Sequence, residues 1–417
     1  MSGELCSPGI RGGCAAVEAV YLPIHSRYYP NPFVVGRSRP YKMARLVHIA
    51  DVHLHPDAPE RQVALATILD RAEAADADAV TIGGDLFENE VAAERLRPEL
   101  RTLFADRPFP VVVIPGNHDR EAFEGDAFFG PAVRPATGEP FEQIVLAGGA
   151  PDRTDPIRLT CVPYTPTLSD DLLVALSDRD PIDGLDCLLV HCSLEASGAT
   201  ADAGAGEEAT TRYAPVTRGE LAALGFDVVL AGHYHGANRV ALPTDTGPDS
   251  TFVYPGTPAS VTRSETGRRS LALVDDEATP RVRLEPLDAF HYDELSITIR
   301  PGQADDALAE VRDRVATWTG RDVAARILVE GFVDRDETTF AEALADAAGD
   351  VPHENRTRSV SQLLEHPIHE AFEARLDAET AIEAAERDEY DPEALCEDAR
   401  ERVLAAMADL AAEGELS

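Results

Sequence analysis

The sequence predicts an α/β protein with a layered core, followed by a small second domain and a helical tail. Two observations carry that expectation. From Met43 to Ala231, strand-length apolar runs alternate with amphipathic helical segments, which is the signature of a layered α/β fold. The pattern then resets near Pro286, and two amphipathic helices follow beyond Pro352. A chain of 417 residues accommodates two to three domains, and a hydrophobic fraction of 44% can bury a sizeable core.

The elements follow in order. Leu46–Ala50 reads as a strand, and Leu65, Ile68, Leu69 and Ala72 share one helical face. Ala79–Ile82 is a second strand, Pro98–Phe104 belongs to a helix, and Val111–Ile114 is a third strand. Further strands are expected at Ile157–Val162, Cys187–Val190 and Val228–Ala231. After Gly232 comes a run of short antiparallel strands at Arg239–Leu242, Thr251–Tyr254, Leu271–Val274 and Arg281–Leu284. The small domain reads strand, helix, strand, helix over Glu294–Ile299, Ala304–Trp318, Ala325–Val333 and Thr339–Ala348. One tail helix carries Ile368, Phe372 and Leu376. The other starts at Asp391-Pro392, a capping and first-turn pair, and carries Cys396, Ala399, Val403, Met407 and Leu410.

Residues 1–42 differ from the rest, with five basic residues against two acids, many Pro and Gly and no clear period. They are expected to be a disordered leader or to precede the true start at Met43, with a functional N-terminal arm as the rival reading. The remaining boundaries fall at 43–286, 287–350 and 351–417. No run of about 18 apolar residues and no signal peptide is present, which excludes a spanning helix and predicts a cytoplasmic protein. Six scattered cysteines without a C-x-x-C pair suit reduced thiols rather than a disulfide framework. The net charge of -38 is spread along a chain whose one lysine is Lys42. Such an excess reads as adaptation to a halophilic cytoplasm. Taken naively it argues against nucleic acid, but in molar salt repulsion between exposed charges is screened within about 3 Å.

Five clusters close predicted strands: Asp51-Val52-His53, Gly84-Asp85, Gly116-Asn117-His118-Asp119, His191, and Gly232-His233-Tyr234-His235. Open α/β sheets place ligands beyond the carboxyl ends of their strands, so these clusters are expected to meet in one cleft. Carboxylate, imidazole and amide oxygen together favour Mn, Fe or Zn over Ca. In Asp-x-His, and again for His233 and His235, residues i and i+2 of an extended segment point the same way. Glycines before Asp85, Asn117 and His233 allow tight turns and close backbone approach. His48 reads as packed within its strand, and His55 lies beside the cleft where it can touch substrate.

In this order, the set resembles the calcineurin-like metallophosphoesterase superfamily over roughly Arg45–Leu284. The resemblance implies a four-layer α-β-β-α sandwich of two mixed sheets, with a small α+β capping domain and a helical tail. It implies two divalent metal ions, with Mn²⁺ expected and Fe²⁺ or Zn²⁺ as alternatives. Asp51, His53, Asp85 and His235 would hold one. Asp85, Asn117, His191 and His233 would hold the other, with Asp85 bridging. His118 would be the general acid, oriented by Asp119.

Finer segments resemble the SbcD-type DNA repair exonucleases: His48-Ile-Ala-Asp-Val-His-Leu54, Gly84-Asp-Leu-Phe-Glu88, and Tyr254-Pro-Gly-Thr-Pro-Ala-Ser260 followed by Arg263-Ser-Glu-Thr-Gly267. That likeness implies a DNA exo/endonuclease with a capping domain from about Asp288 and a tail that binds an SMC-like ATPase. A homodimer is expected, with no membrane. Arg263, Arg268 and Arg269 form a basic cluster, with Arg263 and Arg268 as candidates for DNA phosphates, although surface pairing with Glu265 also explains them. Two departures are Tyr234, where that family has an aliphatic residue, and Cys192-Ser193-Leu194 in place of a Gly-rich segment. The competing readings are a phosphodiesterase for small nucleotides and a scaffold subunit that uses the site little.

Overall fold

The computed structural model describes residues 26–29, 44–125, 128–146, 156–195, 212–243, 250–276, 278–383 and 392–416. Most of the expected leader lies outside the described residues. Within it, Ser26–Tyr29 form an edge strand parallel to Glu142–Leu146.

Two large sheets pack face to face. One has six strands in the order Val282–Pro286, Ser270–Asp275, Arg45–Ile49, Ala79–Ile82, Val111–Val113 and Val133–Pro135. The other has seven, in the order Ser26–Tyr29, Glu142–Leu146, Ile157–Val162, Leu185–His191, Val228–Gly232, Ser250–Tyr254 and Asn238–Leu242. Side-chain alternation along each strand builds the layers. Leu46, Ala79, Val112, Leu185, Cys187, Leu189, Val228 and Leu230 fill the space between the sheets. On the outer face of the six-stranded sheet, Val47, Ile49, Val80 and Ile82 pack on helices Pro59–Ala74 and Glu90–Leu103. Leu188, Val190 and Val229 face helices Asp170–Ser177 and Arg218–Leu224 on the other side. The result is the expected α-β-β-α stack.

The parallel pairings bring the site together. Ile49 lies opposite Ile82, Ile82 opposite Val113, and His191 opposite Gly232. The carboxyl ends of five strands therefore align at one edge of the sandwich, between the sheets.

Several sequence expectations shift. Helix Glu90–Leu103 begins eight residues before Pro98, because Asn89 caps it by accepting the Ala92 N–H at 3.0 Å and Pro98 sits on its exposed face. The strands after Gly232 are not one antiparallel run: Ser250–Tyr254 pairs parallel with Val228–Gly232, and Ser270–Asp275 joins the other sheet beside Arg45–Ile49. The buried thiols behave as small hydrophobes, with burial pushing Cys192 up to about 12.

The small domain is a βαβαβ unit: strands His291–Ile299, Val323–Val333 and His353–Ser359 run parallel, linked by helices Ala304–Trp318 and Glu337–Ala348. Its third strand lies beyond residue 350, in the stretch assigned to the tail. That strand, His353-Glu-Asn-Arg-Thr-Arg-Ser359, is almost wholly exposed and carries no apolar alternation to read. The last helix, Pro392–Ala412, docks Leu404 and Met407 against Phe332 and Val360 of the small domain, leaving Leu395, Leu410 and, on the preceding helix, Ile368 exposed. The turn 260–267 leans on the start of this domain, since Ser260 N–H donates to Phe290 O and Gly267 N–H to Tyr292 O. No helix among the described residues is long and apolar enough to cross a membrane.

Candidate metal centre

The first two strand ends run on side by side past their sheet. Asp51 N–H donates to Gly84 O at 3.1 Å, His53 N–H to Asp85 O at 3.0 Å, and Leu54 N–H to Leu86 O at 2.9 Å. In doing so Asp51 (φ 54°), His53 (φ 48°) and Asp85 (φ 50°) enter the left-handed region, as His233 does at φ 111°. Non-glycine residues there cost of order 1–3 kcal/mol each and cluster at functional sites. Asp51 and His53 therefore converge through a tight coil, not through the extended segment that their i, i+2 spacing suggested. A Cβ on Gly116 would lie 2.0 Å from Asp85 Oδ1, one on Gly84 2.4 Å from His191 Nδ1, and one on Gly232 2.2 Å from Gly83 O. The glycines are the clearance that lets these loops close on each other.

All seven expected ligand residues meet. Asp51 receives the His233 N–H on both oxygens at 3.0 Å and lies 3.9 Å from His191 Nδ1. Asp85 Oδ2 is 3.4 Å from His191 Nε2 and 4.0 Å from His53 Nε2, so it stands between two histidines. Asn117 Oδ1 is 2.8 Å from His191 Nε2, and the His191 and His233 rings are 5.4 Å apart. His53 and His235 face each other with Nε2 atoms 3.2 Å apart. Burial pushes the Asp85 carboxyl up, but the imidazoles of His191, His53 and His118 and the His118 N–H outweigh it and hold it below the usual carboxylate range.

The donor set fits cations on its own chemistry. His191 Nδ1 is 2.8 Å from Gly83 O, which can only accept, so Nδ1 carries the proton and Nε2 turns a lone pair toward Asn117 Oδ1. His235 Nδ1 donates to Glu265 at 2.8 Å, so its Nε2 turns a lone pair toward His53. His191 Nε2 and Asn117 Oδ1 thus bring two electron-rich atoms together beside Asp85, and His235 Nε2 turns its lone pair toward the His53 ring. A positive ion between the first two relieves their repulsion. By distance alone, two groups that could hold an ion are Asp51–Asp85–His191 and His53–Glu88–His118. The second adds Glu88, which the sequence reading had not singled out.

Residues 44–237 match the family described as calcineurin-like phosphoesterase. The match supports a calcineurin-like phosphoesterase domain over that segment. It implies metal-dependent phosphoester hydrolysis at a site for two divalent metals. Two of the many solved structures similar to the chain differ in how much of their own length is covered. One is TT1561 of Thermus thermophilus, at 17% identity and a TM-score of 0.38, covering 59% of this chain and 99% of that one. The other is GAP50, the anchor in the inner membrane complex of Plasmodium, at 12% identity and a TM-score of 0.38, covering 59% and 85%. Comparison with curated proteins gives no match.

Around the phosphoesterase site, the other predicted residues take varied places. His118 is half-buried, its ring edge-on to His53 at 4.8 Å between centroids. Asp119 was expected to orient it. Its oxygens accept the Gly116 N–H at 2.8 Å and the Phe87 N–H at 3.2 Å, so it ties two site loops together. Burial and the nearby Asp85 push the Asp119 carboxyl up to about 7. Glu88 is a carboxylate close to both His53 and His118. It lies 3.4 Å from His53 Nδ1 and is bound by Arg61, and these contacts, His53 first, hold it at about 2 against the opposing effect of burial. His48 is packed as expected, bridging Thr81 Oγ1 and Ala231 O, with burial pushing it down to about 4. His55 is partly exposed and accepts the Asp57 N–H. Arg263 is exposed, and Arg268 pairs with Asp288 at 2.6 Å.

Glu265 is the largest departure from the surface partner expected. It is fully buried and holds His235 Nδ1. It also accepts from Thr257 Oγ1, Val261 N–H, Thr262 N–H and Thr262 Oγ1. Although burial pushes it up, the His235 contact, the Val261 N–H and Arg269 hold it at about 2. Arg269 is buried too and donates to His235 O and Thr257. A buried acid at the end of a serine- and glycine-flanked turn has no periodic signature in the sequence. The one available signal was its place shortly after the last histidine motif.

Proposed function

We propose that the protein is a two-metal phosphodiester hydrolase acting on DNA as an exo/endonuclease. The observation that carries the hydrolase reading is the convergence of Asp51, His53, Asp85, Asn117, His191, His233 and His235 around a central carboxylate. Asp51, His53, Asp85 and His235 would hold one ion, and Asp85, Asn117, His191 and His233 the other. When bound, the pair of ions, expected to be Mn²⁺, supplies Lewis-acid polarisation of the phosphate and an acidified water.

The chain's own residues do the rest. Asp85 is placed between both groups, and its low pKa keeps it an anion there. Glu265 fixes the tautomer of His235, and Gly83 O fixes that of His191. His118, half-buried beside His53 and an ionised Glu88, is positioned to give a proton to the leaving alkoxide. His55 and Arg263 sit on segments flanking the cluster, where a longer substrate can reach them.

DNA is favoured by the SbcD-type segments around the site and by the βαβαβ domain joined to the turn that carries Glu265. In that reading the small domain orients DNA, and the exposed Ile368, Leu395 and Leu410 of the tail serve an SMC-like ATPase partner, with the nuclease working as a homodimer in a halophilic cytoplasm. The test uses the full chain in high salt with Mn²⁺, end-labelled duplex and single-stranded DNA, bis-p-nitrophenyl phosphate and cyclic nucleotides, with His118→Ala alongside. Degradation of DNA by the wild type but not by the variant upholds the proposal. Cleavage of the small diesters alone moves the substrate to small nucleotides and leaves the metal chemistry standing.

A further inference from the structure

One side of the metal centre is lined by aromatic rings, and the mechanism leaves them unused. Tyr164 and Tyr213 are both half-buried and meet edge to face with ring centroids 5.7 Å apart. Tyr164 stands 6.2 Å from the His191 ring, and Tyr213 stands 5.4 Å from the His233 ring. Both are pinned by main-chain bonds to the loops that carry ligands. Tyr164 N–H donates to Pro115 O, just before Gly116-Asn117, at 3.1 Å. Tyr213 exchanges bonds with Ser193, two residues after His191: Ser193 N–H donates to Tyr213 O at 2.8 Å, and Tyr213 N–H donates to Ser193 Oγ at 3.0 Å. The opposite side of the cluster, at His53, Glu88 and His118, is lined by charged and imidazole groups.

We propose that Tyr164 and Tyr213 form a stacking platform for a nucleobase of the substrate strand, next to the Asn117–His191–His233 half of the centre. This rests on the reading of the site as a nucleic-acid phosphodiesterase and adds which part of the substrate it grips. The charge balance supports it. Phosphate backbones are normally held by basic surfaces, and a chain with 75 acids against 37 basic residues gains little that way. Stacking on tyrosine needs no positive charge and works for every base, because every base has a π-face. In a chain that is only 6% aromatic, two partly exposed tyrosines fastened to two ligand loops are a costly surface to keep without a flat partner.

The test is direct binding, kept separate from turnover. The full chain, with Ca²⁺ in place of Mn²⁺, is titrated with a four-nucleotide thymidine strand and with the same strand carrying abasic sites. The wild type is expected to prefer the base-bearing strand. Tyr164→Ala and Tyr213→Ala are each expected to weaken it by roughly five- to a hundredfold, while Tyr164→Phe and Tyr213→Phe retain it. Equal binding of the abasic strand by the wild type, an equal loss for both strands in the alanine variants, or no binding of either strand overturns the platform. Wild-type hydrolysis of methyl p-nitrophenyl phosphate in Mn²⁺ is followed separately. Its absence removes the phosphodiesterase reading even where base-dependent binding persists, so the two failures are told apart.

Discussion

Replacing Glu265 by alanine probes how the metal centre is held from behind. The side chain accepts five hydrogen bonds at 2.8–3.1 Å, from His235 Nδ1, Thr257 Oγ1, Val261 N–H, Thr262 N–H and Thr262 Oγ1. The hydroxyls can turn elsewhere, but three N–H donors in a buried pocket cannot. Each donor left without a partner costs about 1–3 kcal/mol, so the low end for three is about 3 kcal/mol. Arg269, itself buried, also loses the carboxylate 3.9 Å away. The imidazole of His235 is then free to turn, and loss of such a supporting bond lowers metal affinity by about 10–100-fold. Mn²⁺ titration calorimetry and thermal unfolding measure the two effects separately. Glu265→Gln should lie between, since its oxygen can still accept from His235 while its amide faces Val261 N–H. A Glu265→Ala protein with wild-type Mn²⁺ affinity and an unchanged unfolding midpoint would refute the reasoning.

Other outcomes follow from the same geometry. His118→Ala should keep both metals but lower phosphodiester cleavage by about 10²–10⁴-fold; metal analysis showing lost ions would assign His118 to the ligand set instead. Asp85→Ala should lose both ions or bind them poorly, and full occupancy by metal analysis would contradict a bridging carboxylate. Gly116→Ala places a Cβ 2.0 Å from Asp85 Oδ1, so Asp85 must move. Weaker Mn²⁺ binding in calorimetry is the expected result, and unchanged binding would show that the loop adapts. Asn89→Ala removes the cap of helix Glu90–Leu103 and should cost about 1 kcal/mol in denaturant unfolding, with metal affinity untouched.

Much of the fold was legible because its signals are local. Strands such as Ala79–Ile82 and Ile157–Val162 and helix Ala304–Trp318 were placed to the residue, since apolar runs and a 3.6-residue period survive without tertiary context. That the seven residues would meet at one place was legible for a related reason: each lies at a strand end, and strand ends in an open sheet share an edge. Strand His353–Ser359 was not, because an exposed polar strand is defined by its partner Val323–Val333 and not by its own residues.

The sequence by itself determined the α/β layering, the order of the metal-binding motifs and their place at strand ends, because these depend on neighbours a few residues apart. Only the tertiary structure decided what each acid does. Asp119 was expected beside His118 and Glu265 as a surface partner for arginines; in the structure one ties Gly116 to Phe87 and the other holds His235 from 30 residues away. Tyr164 and Tyr213 meet across 49 residues only because Pro115 and Ser193 pin them to two ligand loops. Burial and long-range hydrogen bonding set the charge and role of such groups, and neither exists until the two sheets close on each other.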